Sequence, residues 1–311
     1  MVRIAVFGTG GVGGYFGGRL AEAGESVVFI ARGPHLEAIR REGLHVASVA
    51  GDLAVRPAEA TDDPQAAGPV DVVIVAVKAW QVSEAARSMR PLLGSETFVL
   101  PLQNGVEAAD ELAAEVGPER VIGGLCRLVA FVEAPGRIRH AGVAPQIAFG
   151  ELNGARSGRV TTLRQAFEKA RGLSVATPDD IVAALWEKFL FIAPYSGVGA
   201  VTGKPAGLFR DVPETRSLLR DAMAEVLALA RARGVGLSED IVERSLAYVD
   251  TLPADATSSM QRDLLQGRPS ELEHQNGAVV RLARESGVAV PANQFLYASL
   301  KPAEIAARGK V

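Results

Sequence analysis

The sequence predicts an α/β domain built on a doubly wound, Rossmann-type sheet, followed by an all-helical domain. Three observations lead to this fold class. The chain opens with a strand, a glycine-rich turn, a helix and a second strand within residues 3–30. Strand and helix patterns alternate through the first half, and helical periodicity alone continues beyond it. We place the first domain at residues 1–177 and the second at residues 178–311.

The glycine-rich turn is the clearest motif near the N-terminus. An apolar run at 3–7 predicts a buried strand, and G-x-G-x-x-G separates it from a helix over 15–23 and a strand over 26–30. The first glycine of this motif makes a tight turn, the second lets the backbone approach a pyrophosphate, and the third lets helix and strand pack closely. The alternative is a glycine-rich turn without a ligand. The residues predicted to bind a dinucleotide here are Gly8, Gly10, Gly11, Val12 and Gly13.

The residues that follow the second strand, Ala31, Arg32 and Gly33, indicate which dinucleotide binds. An NAD site commonly has Asp or Glu there, holding the ribose hydroxyls, whereas this chain has Arg32. A guanidinium can bind a 2′-phosphate through two hydrogen bonds, so we predict NADPH as the cofactor. The alternative is that Arg32 is an ordinary surface arginine.

The other elements of the first domain follow in order. The patterns predict a hairpin (44–49 and 53–56), a buried parallel strand (72–77), a further strand (97–100), a second hairpin (128–140) and a last strand (146–149). Lys78 directly follows the strand at 72–77, and Asn104 follows the next strand. Open α/β sheets bind ligands at the carboxyl ends of their strands, so both residues suit cofactor contacts. Either could instead be an ordinary polar loop residue.

The second domain is predicted to be helical throughout. Thr177 can cap a helix that has Pro178 at its first position, and Pro194 is predicted to kink that helix. A short strand at 173–176 is the last one that the pattern suggests. The predicted helices cover 178–191, 213–233, 238–249, 271–286 and 291–300.

Composition and charge exclude several classes of protein. Hydrophobic residues at 48% and charged residues at 22% are typical of a globular protein, and a net charge of −3 gives no sign of nucleic-acid binding. The single cysteine, Cys126, excludes an intrachain disulfide and is expected to serve in packing, and the four histidines lack metal-ligand spacing. The chain enters its first strand at once, and the apolar stretches of the first half are too short to cross a bilayer. We therefore expect a cytoplasmic protein with no nucleic-acid or membrane partner and no metal.

Two charged residues of the helical domain are candidates for chemistry in the cleft that two such domains commonly form. Lys188 shares an apolar stripe with Ile181, Leu185 and Ile192, where an ammonium is costly unless it has partners or a task. A buried lysine is well suited to donate a proton near neutrality, and the alternative is a side chain that reaches out to water. Glu271 opens a predicted helix, so on spacing alone it stabilises the helix dipole.

Together these residues resemble the ketopantoate reductase (2-dehydropantoate 2-reductase) family, nearly from end to end. Besides the glycine motif, the segments that carry the resemblance are IARG (30–33), VKAWQ (77–81), QNG (103–105), WEK (186–188), SSMQRD (258–263) and GRPSELEHQNG (267–277). The resemblance implies NADPH-dependent reduction of a 2-oxo acid to a 2-hydroxy acid, as from 2-dehydropantoate to pantoate in pantothenate biosynthesis.

The resemblance also implies roles for single residues. Lys188 would be the general acid that protonates the ketone oxygen, Glu271 would assist at the substrate hydroxyl, and Ser259 would help to hold the substrate carboxylate. The residues implied on the cofactor side are Lys78, Gln81 and Asn104, of which Asn104 also lies close to the substrate.

The chain departs from the family pattern at three substrate-facing positions. Asparagines are expected four and eight residues after Lys188 and three residues before Ser259, but the chain has Ile192, Ser196 and Ala256 there. Losing three amides favours a larger or less polar oxo compound than ketopantoate. The alternatives are therefore a family member that reduces a different carbonyl compound and a non-enzymatic NADPH-binding regulator. A homodimer stays open as an oligomeric state.

Overall fold

The computed structural model of the protein describes residues Met1–Gly309, which fold as two compact units. The first unit comprises Met1–Gln103 and Ala108–Ile181. The second comprises Asn104–Glu107 together with the described residues from Val182 onward. The sequence placed the boundary a few residues earlier, after Thr177, and did not separate Asn104–Glu107 from the first domain.

The first unit contains a parallel sheet and two smaller sheets. Its strands are β1 (Arg3–Phe7), β2 (Ser26–Ile30), β3 (Leu44–Ser48), β4 (Leu53–Val55), β5 (Glu59–Thr61), β6 (Val70–Val75), β7 (Leu93–Pro101), β8 (Gly123–Arg127), β9 (Ala130–Ala134), β10 (Arg137–His140), β11 (Gln146–Gly150) and β12 (Ser174–Ala176). The main sheet is parallel in the order β5-β2-β1-β6-β7. The predicted Rossmann-type sheet is thus confirmed, and the bounds predicted for β1 and β2 match it residue for residue.

The antiparallel hairpins lie outside the main sheet. One small sheet has the order β4-β3-β10-β9 and the other β12-β11-β8. The predicted pairs β3–β4 and β9–β10 are antiparallel as expected. The predicted hairpins therefore belong to sheets of their own and do not extend the doubly wound sheet.

The helices of the first unit pack on apolar strand faces. They are α1 (Gly11–Glu22), α2 (Gly33–Glu42), α3 (Pro64–Ala67), α4 (Val82–Ser88), α5 (Ala108–Val116) and α6 (Gly158–Glu168). A glycine within α1 lets this helix lie close to the sheet, since a Cβ on Gly17 would be 2.7 Å from a methyl group of Val6. Both Val6 and Ile74 are completely buried, as parallel strands covered on two faces require.

The second unit is helical, as predicted. Its helices are α7 (Ile181–Thr202), α8 (Ala206–Asp211), α9 (Pro213–Ala232), α10 (Ile241–Thr251), α11 (Ser259–Leu265), α12 (Asn276–Ser286) and α13 (Pro291–Ala307). Residues Leu190, Ala193, Val226 and Val279 are completely buried and belong to one apolar core. By length and hydropathy α7 is the one helix of the described chain that could cross a membrane, but 56% of its most apolar stretch is buried inside the protein.

Three predictions about helix ends were wrong. Thr177 caps no helix, because α7 begins only at Ile181. The same helix continues through Pro194 to Thr202, although we had expected it to end near Phe191. Residues 193–200 are all buried, so tertiary packing outweighs the cost of an internal proline. Glu271 opens a short 3-10 turn at Leu272–His274 and not a long helix.

Candidate functional site

The glycine-rich turn presents an uncapped helix end. Gly10 is the N-cap of α1, no side chain bonds the free N–H groups there, and the first turn has no acidic residue. The backbone N–H groups of Gly8 and Thr9 both donate to the carbonyl of Ile30 at 3.2 Å, which fixes the turn to the end of β2. Free N–H groups at the positive end of a helix dipole suit a phosphate.

The glycines of the turn differ in what surrounds them. A Cβ on Gly13 would be 2.2 Å from the carbonyl oxygen of Gly8, and one on Gly11 would be 2.2 Å from the carbonyl oxygen of Ala130 in β9. A Cβ on Gly10 would meet no protein atom within 4 Å. Gly11 and Gly13 are therefore required by packing, whereas Gly10 leaves open space of the kind that a pyrophosphate needs. This geometry fits a dinucleotide; the contact of Gly11 with β9 could not be predicted from the motif.

This difference leads to a paired prediction. Gly10→Ala should leave the free energy of unfolding within about 0.5 kcal/mol of wild type, because its φ of −82° suits alanine. It should nevertheless weaken cofactor binding about tenfold or more, because the methyl group occupies the pyrophosphate's place. Gly13→Ala should lower the free energy of unfolding by about 1–3 kcal/mol, because its Cβ meets backbone. Thermal unfolding and cofactor titration check both. A Gly10→Ala protein that binds cofactor like wild type would contradict the phosphate site.

Arg32 lies where the second strand leads into α2. It is the N-cap of α2 and, like Gly10, leaves the helix end without a side-chain cap. Its guanidinium is 3.5 Å from the carboxylate of Glu84, and the side chains are 66% and 61% exposed. His35, in the first turn of α2, accepts the N–H of Gly136 at 3.0 Å. Burial lowers the pKa of His35, an effect that hydrogen bonding to the backbone of Thr9 partly offsets. No pattern in the sequence predicts the contact with Glu84.

Lys78 does not follow its strand directly, because β6 ends at Val75. It precedes a 3-10 turn at Ala79–Gln81, in which the side-chain oxygen of Gln81 accepts the N–H of Lys78 at 3.3 Å. The Lys78 ammonium is 5.7 Å from the centre of the Trp80 ring. The amide of Gln103 donates to the carbonyls of Val75 and Val77 at 3.0 and 2.9 Å. Gln103 thus fixes the end of β6, a role that sequence analysis missed.

The structure brings Asn104 and Glu271 together within the helical unit. The Asn104 amide donates to the Glu271 carboxylate at 3.3 Å, although 167 residues separate them. Gly105, with φ of +104°, permits this approach, since its Cβ would lie 2.7 Å from the carbonyl oxygen of His274. Arg281 forms an ion pair with Glu107 at 2.6 Å and holds the same segment. Asn104 therefore lies beside the candidate catalytic carboxylate.

A buried network holds the residue before Glu271. The hydroxyl of Ser270 donates to the carboxylate of Glu304 at 2.5 Å, and the Ser270 N–H donates to the same carboxylate at 3.0 Å. Arg308 pairs with Glu304 at 2.5 Å and donates to the Ser270 carbonyl at 2.9 Å. Glu271 is only 7% exposed. Glu304 and Arg308 thus hold the residue next to Glu271, and because both are far from Glu271 in sequence, the sequence did not predict this contact.

Lys188, Ile192 and Ser196 lie on one face of α7, because they are four residues apart in a continuous helix. The Lys188 and Ile192 side chains are half-buried, whereas Ser196 is completely buried and no described protein group bonds its hydroxyl. Lys188 is the single basic residue of α7. The face therefore carries one ammonium and one available hydroxyl among apolar groups.

The two other predicted substrate positions lie near the start of α11. Ser259 is exposed at the first residue of the helix, while Ser258 is the N-cap and accepts the N–H of Gln261 at 3.1 Å. The carbonyl of Ala256 accepts the Tyr195 hydroxyl at 3.2 Å. Burial, with the neighbouring Tyr248, raises the pKa of Tyr195 to about 12, so this tyrosine stays protonated and can donate.

Residues Met1–Gly309 contain no group of three His, Cys, Asp or Glu side chains that could hold a metal ion. Cys126 is 7% exposed and belongs to the apolar core of the first unit.

Comparisons with known proteins identify relatives of the whole chain. The family model of ketopantoate reductase PanE/ApbA matches residues 4–154, and the model of the C-terminal part of that family matches residues 180–304. A 2-dehydropantoate 2-reductase of Mesorhizobium japonicum is 33% identical over 304 residues, which cover 91% of this chain and 92% of the relative. An uncharacterized oxidoreductase of Bacillus subtilis, YkpB, is 30% identical over 300 residues, which cover 96% of this chain and 98% of the relative.

A solved structure extends the likeness to the fold. The crystal structure of a 2-dehydropantoate 2-reductase from Geobacter metallireducens superposes with a TM-score of 0.91 at 33% identity, covering 97% of this chain and 100% of that chain. The two family models together, and the relatives, span both units of the chain. The chain therefore belongs to the ketopantoate reductase family and is a nicotinamide-dependent oxidoreductase.

Proposed function

We propose that the protein reduces a 2-oxo acid to the 2-hydroxy acid with NADPH, as a cytoplasmic enzyme. The observation that carries this proposal is Lys188, the single basic residue of α7, half-buried on a face whose next positions are Ile192 and Ser196. An ammonium in such surroundings can both stabilise negative charge on a ketone oxygen and supply a proton.

The residues proposed for the site have separate roles in the reaction. When bound, the reduced nicotinamide supplies the hydride. Lys188 donates a hydrogen bond to the ketone oxygen and then gives up its proton to that oxygen. Glu271, held by Asn104 at 3.3 Å, accepts a hydrogen bond from the nascent hydroxyl and orients it. Ser259, exposed at the start of α11, donates to the substrate carboxylate at the positive end of that helix.

The cofactor proposal depends on the first unit. The space beside Gly10 and the uncapped start of α1 suit the pyrophosphate. Arg32 at the uncapped start of α2 suits a 2′-phosphate, because a guanidinium and free N–H groups meet there. Lys78 and Gln81, at the turn after β6, complete the proposed cofactor contacts. These features favour NADPH over NADH.

The substrate proposal depends on the second unit. Ile192 is apolar, and the carbonyl of Ala256 is already bonded by Tyr195. Ser196 offers a hydroxyl where an amide would offer a donor and an acceptor. We therefore propose a substrate less polar than ketopantoate, with ketopantoate itself as the second candidate. A pure NADPH-binding regulator is disfavoured, because Lys188, Ser259 and Glu271 would have no task in one.

A panel of 2-oxo acids tests the proposal. NADPH oxidation, followed by its absorbance, should be fastest with bulky or branched apolar 2-oxo acids and should depend on both substrate and enzyme. The matched control is the Lys188→Ala protein in the same assay. Binding of NADPH without turnover of any 2-oxo acid would favour the alternative that the protein is a non-enzymatic NADPH-binding regulator.

Ile192 provides a sharper test of substrate choice. We expect slow turnover of ketopantoate by the wild type, because polar groups of the substrate lack hydrogen-bond partners at the apolar Ile192 side chain. Ile192→Asn should raise kcat/KM for ketopantoate about tenfold, since one recovered hydrogen bond is worth roughly that factor. Ile192→Leu is the matched control and should bring no gain. Efficient ketopantoate turnover by the unaltered protein would refute this specificity and restore ketopantoate as the substrate.

A further inference from the structure

The surroundings of Arg32 contain a carboxylate that the proposed cofactor role does not explain. Glu84 lies in the first turn of α4 and is the acidic residue there. Its Oε1 is 3.5 Å from the guanidinium of Arg32. Residues 32 and 84 are far apart in sequence, so only the packing of α2 and α4 against the same sheet brings them together.

We propose that Glu84 sets cofactor selectivity by competing with the 2′-phosphate for Arg32, and that the enzyme consequently uses NADH as well as NADPH. The inference rests on the proposed function, in which Arg32 binds that phosphate. Glu84 supplies from α4 the carboxylate that an NAD site usually carries directly after its second strand.

The geometry makes competition unavoidable while this pair is formed. A phosphate oxygen that accepts a hydrogen bond from the same guanidinium nitrogen would lie within about 6.5 Å of the Glu84 carboxylate, given the 3.5 Å contact. Two anions at that distance repel within the screening length of physiological salt. NADPH binding must therefore either displace Glu84 from Arg32 or tolerate the repulsion.

NADH lacks the 2′-phosphate and therefore places no negative charge beside Arg32 and Glu84. Its adenosine ribose has hydroxyl groups that can donate to a carboxylate, as they do in sites with Asp or Glu after the second strand. Both side chains are more than half exposed, at 66% and 61%, so the pair can open or close without rearranging the core. An exposed pair of this kind contributes little to stability, and a change in it should act on binding and leave folding intact.

Glu84→Gln in the full-length protein tests the proposal, with dissociation constants for NADPH and NADH measured by fluorescence titration. We expect NADPH to bind about fivefold more tightly than to wild type, the factor that one exposed charge pair is worth. NADH binding should stay the same or weaken. Glu168→Gln is the matched control, because it removes the same charge from another exposed pair, with Arg164 at 2.7 Å, and it should change neither constant.

The outcomes separate this inference from the proposed function. A Glu84→Gln protein whose NADPH affinity stays within twofold of wild type, or falls, would overturn the role of Glu84. If Arg32→Ala weakens NADPH binding in the same titration, the proposal that Arg32 binds the 2′-phosphate stands even when the role of Glu84 is overturned. If Arg32→Ala leaves NADPH binding unchanged, the phosphate role itself fails, and the selectivity argument fails with it.

Discussion

Lys188→Ala is expected to lower kcat about 100-fold or more while leaving NADPH affinity nearly unchanged. Reduction of a ketone develops negative charge on its oxygen, and the Lys188 ammonium both stabilises that charge and supplies the proton. Because the half-buried Lys188 belongs to the helical unit and the glycine-rich turn belongs to the first unit, the proposed cofactor contacts should survive. The measurement is kcat at saturating substrate, with the cofactor dissociation constant determined alongside.

Three further variants make the Lys188 result specific. Lys188→Arg should rescue poorly, because a guanidinium gives up a proton too reluctantly. Glu271→Ala should be harmful but less so, since this carboxylate orients and does not donate the proton. Lys204→Ala, which removes an exposed lysine just beyond the end of α7, should behave like wild type. A Lys188→Ala protein with wild-type kcat would show that this lysine only reaches out to water.

Arg32→Asp is expected to weaken NADPH binding tenfold or more and to relax or reverse the preference over NADH. A charge-assisted contact to phosphate is worth roughly 1.5–3 kcal/mol, and the introduced carboxylate adds repulsion at the uncapped start of α2. Titration of both cofactors against wild type and variant checks this.

The control for Arg32 is an arginine in another exposed ion pair. Arg164→Asp removes the partner of Glu168 and should leave both cofactor affinities unchanged. If Arg32→Asp keeps the NADPH affinity of the wild type, the 2′-phosphate assignment is wrong.

Local sequence patterns predicted the start of the fold accurately. The bounds of β1 and β2 follow from short, mostly apolar runs, the first ended by the glycine-rich turn and the second followed by Ala31 and Arg32, and the structure reproduces both. The glycine spacing also predicted the packing of Gly13, because that contact is with Gly8, five residues away. Patterns of this kind involve residues close together in the chain, so they can be recognised from a single sequence.

The errors have a common cause in long-range packing. Pro194 is a strong local breaker, yet α7 passes through it because the residues around it are buried on all sides. The contact between Asn104 and Glu271 joins positions 167 residues apart, and no pattern in the chain marks it. The same holds for Glu84 beside Arg32 and for Glu304 beneath Ser270. The sequence thus predicted which side chains are candidates for the site. The residues that contact those side chains could be identified only from the three-dimensional structure.

The most direct test of the proposed reaction is the fate of a hydrogen label. NADPH carrying deuterium at the transferable position of C4 is incubated with the enzyme and its best 2-oxo acid, and the product is analysed by mass spectrometry and NMR. The proposal predicts one deuterium at C2 of the 2-hydroxy acid for each NADPH consumed, with the yield lost in Lys188→Ala. A product without deuterium at C2, or NADPH consumption without a 2-hydroxy acid, would contradict it.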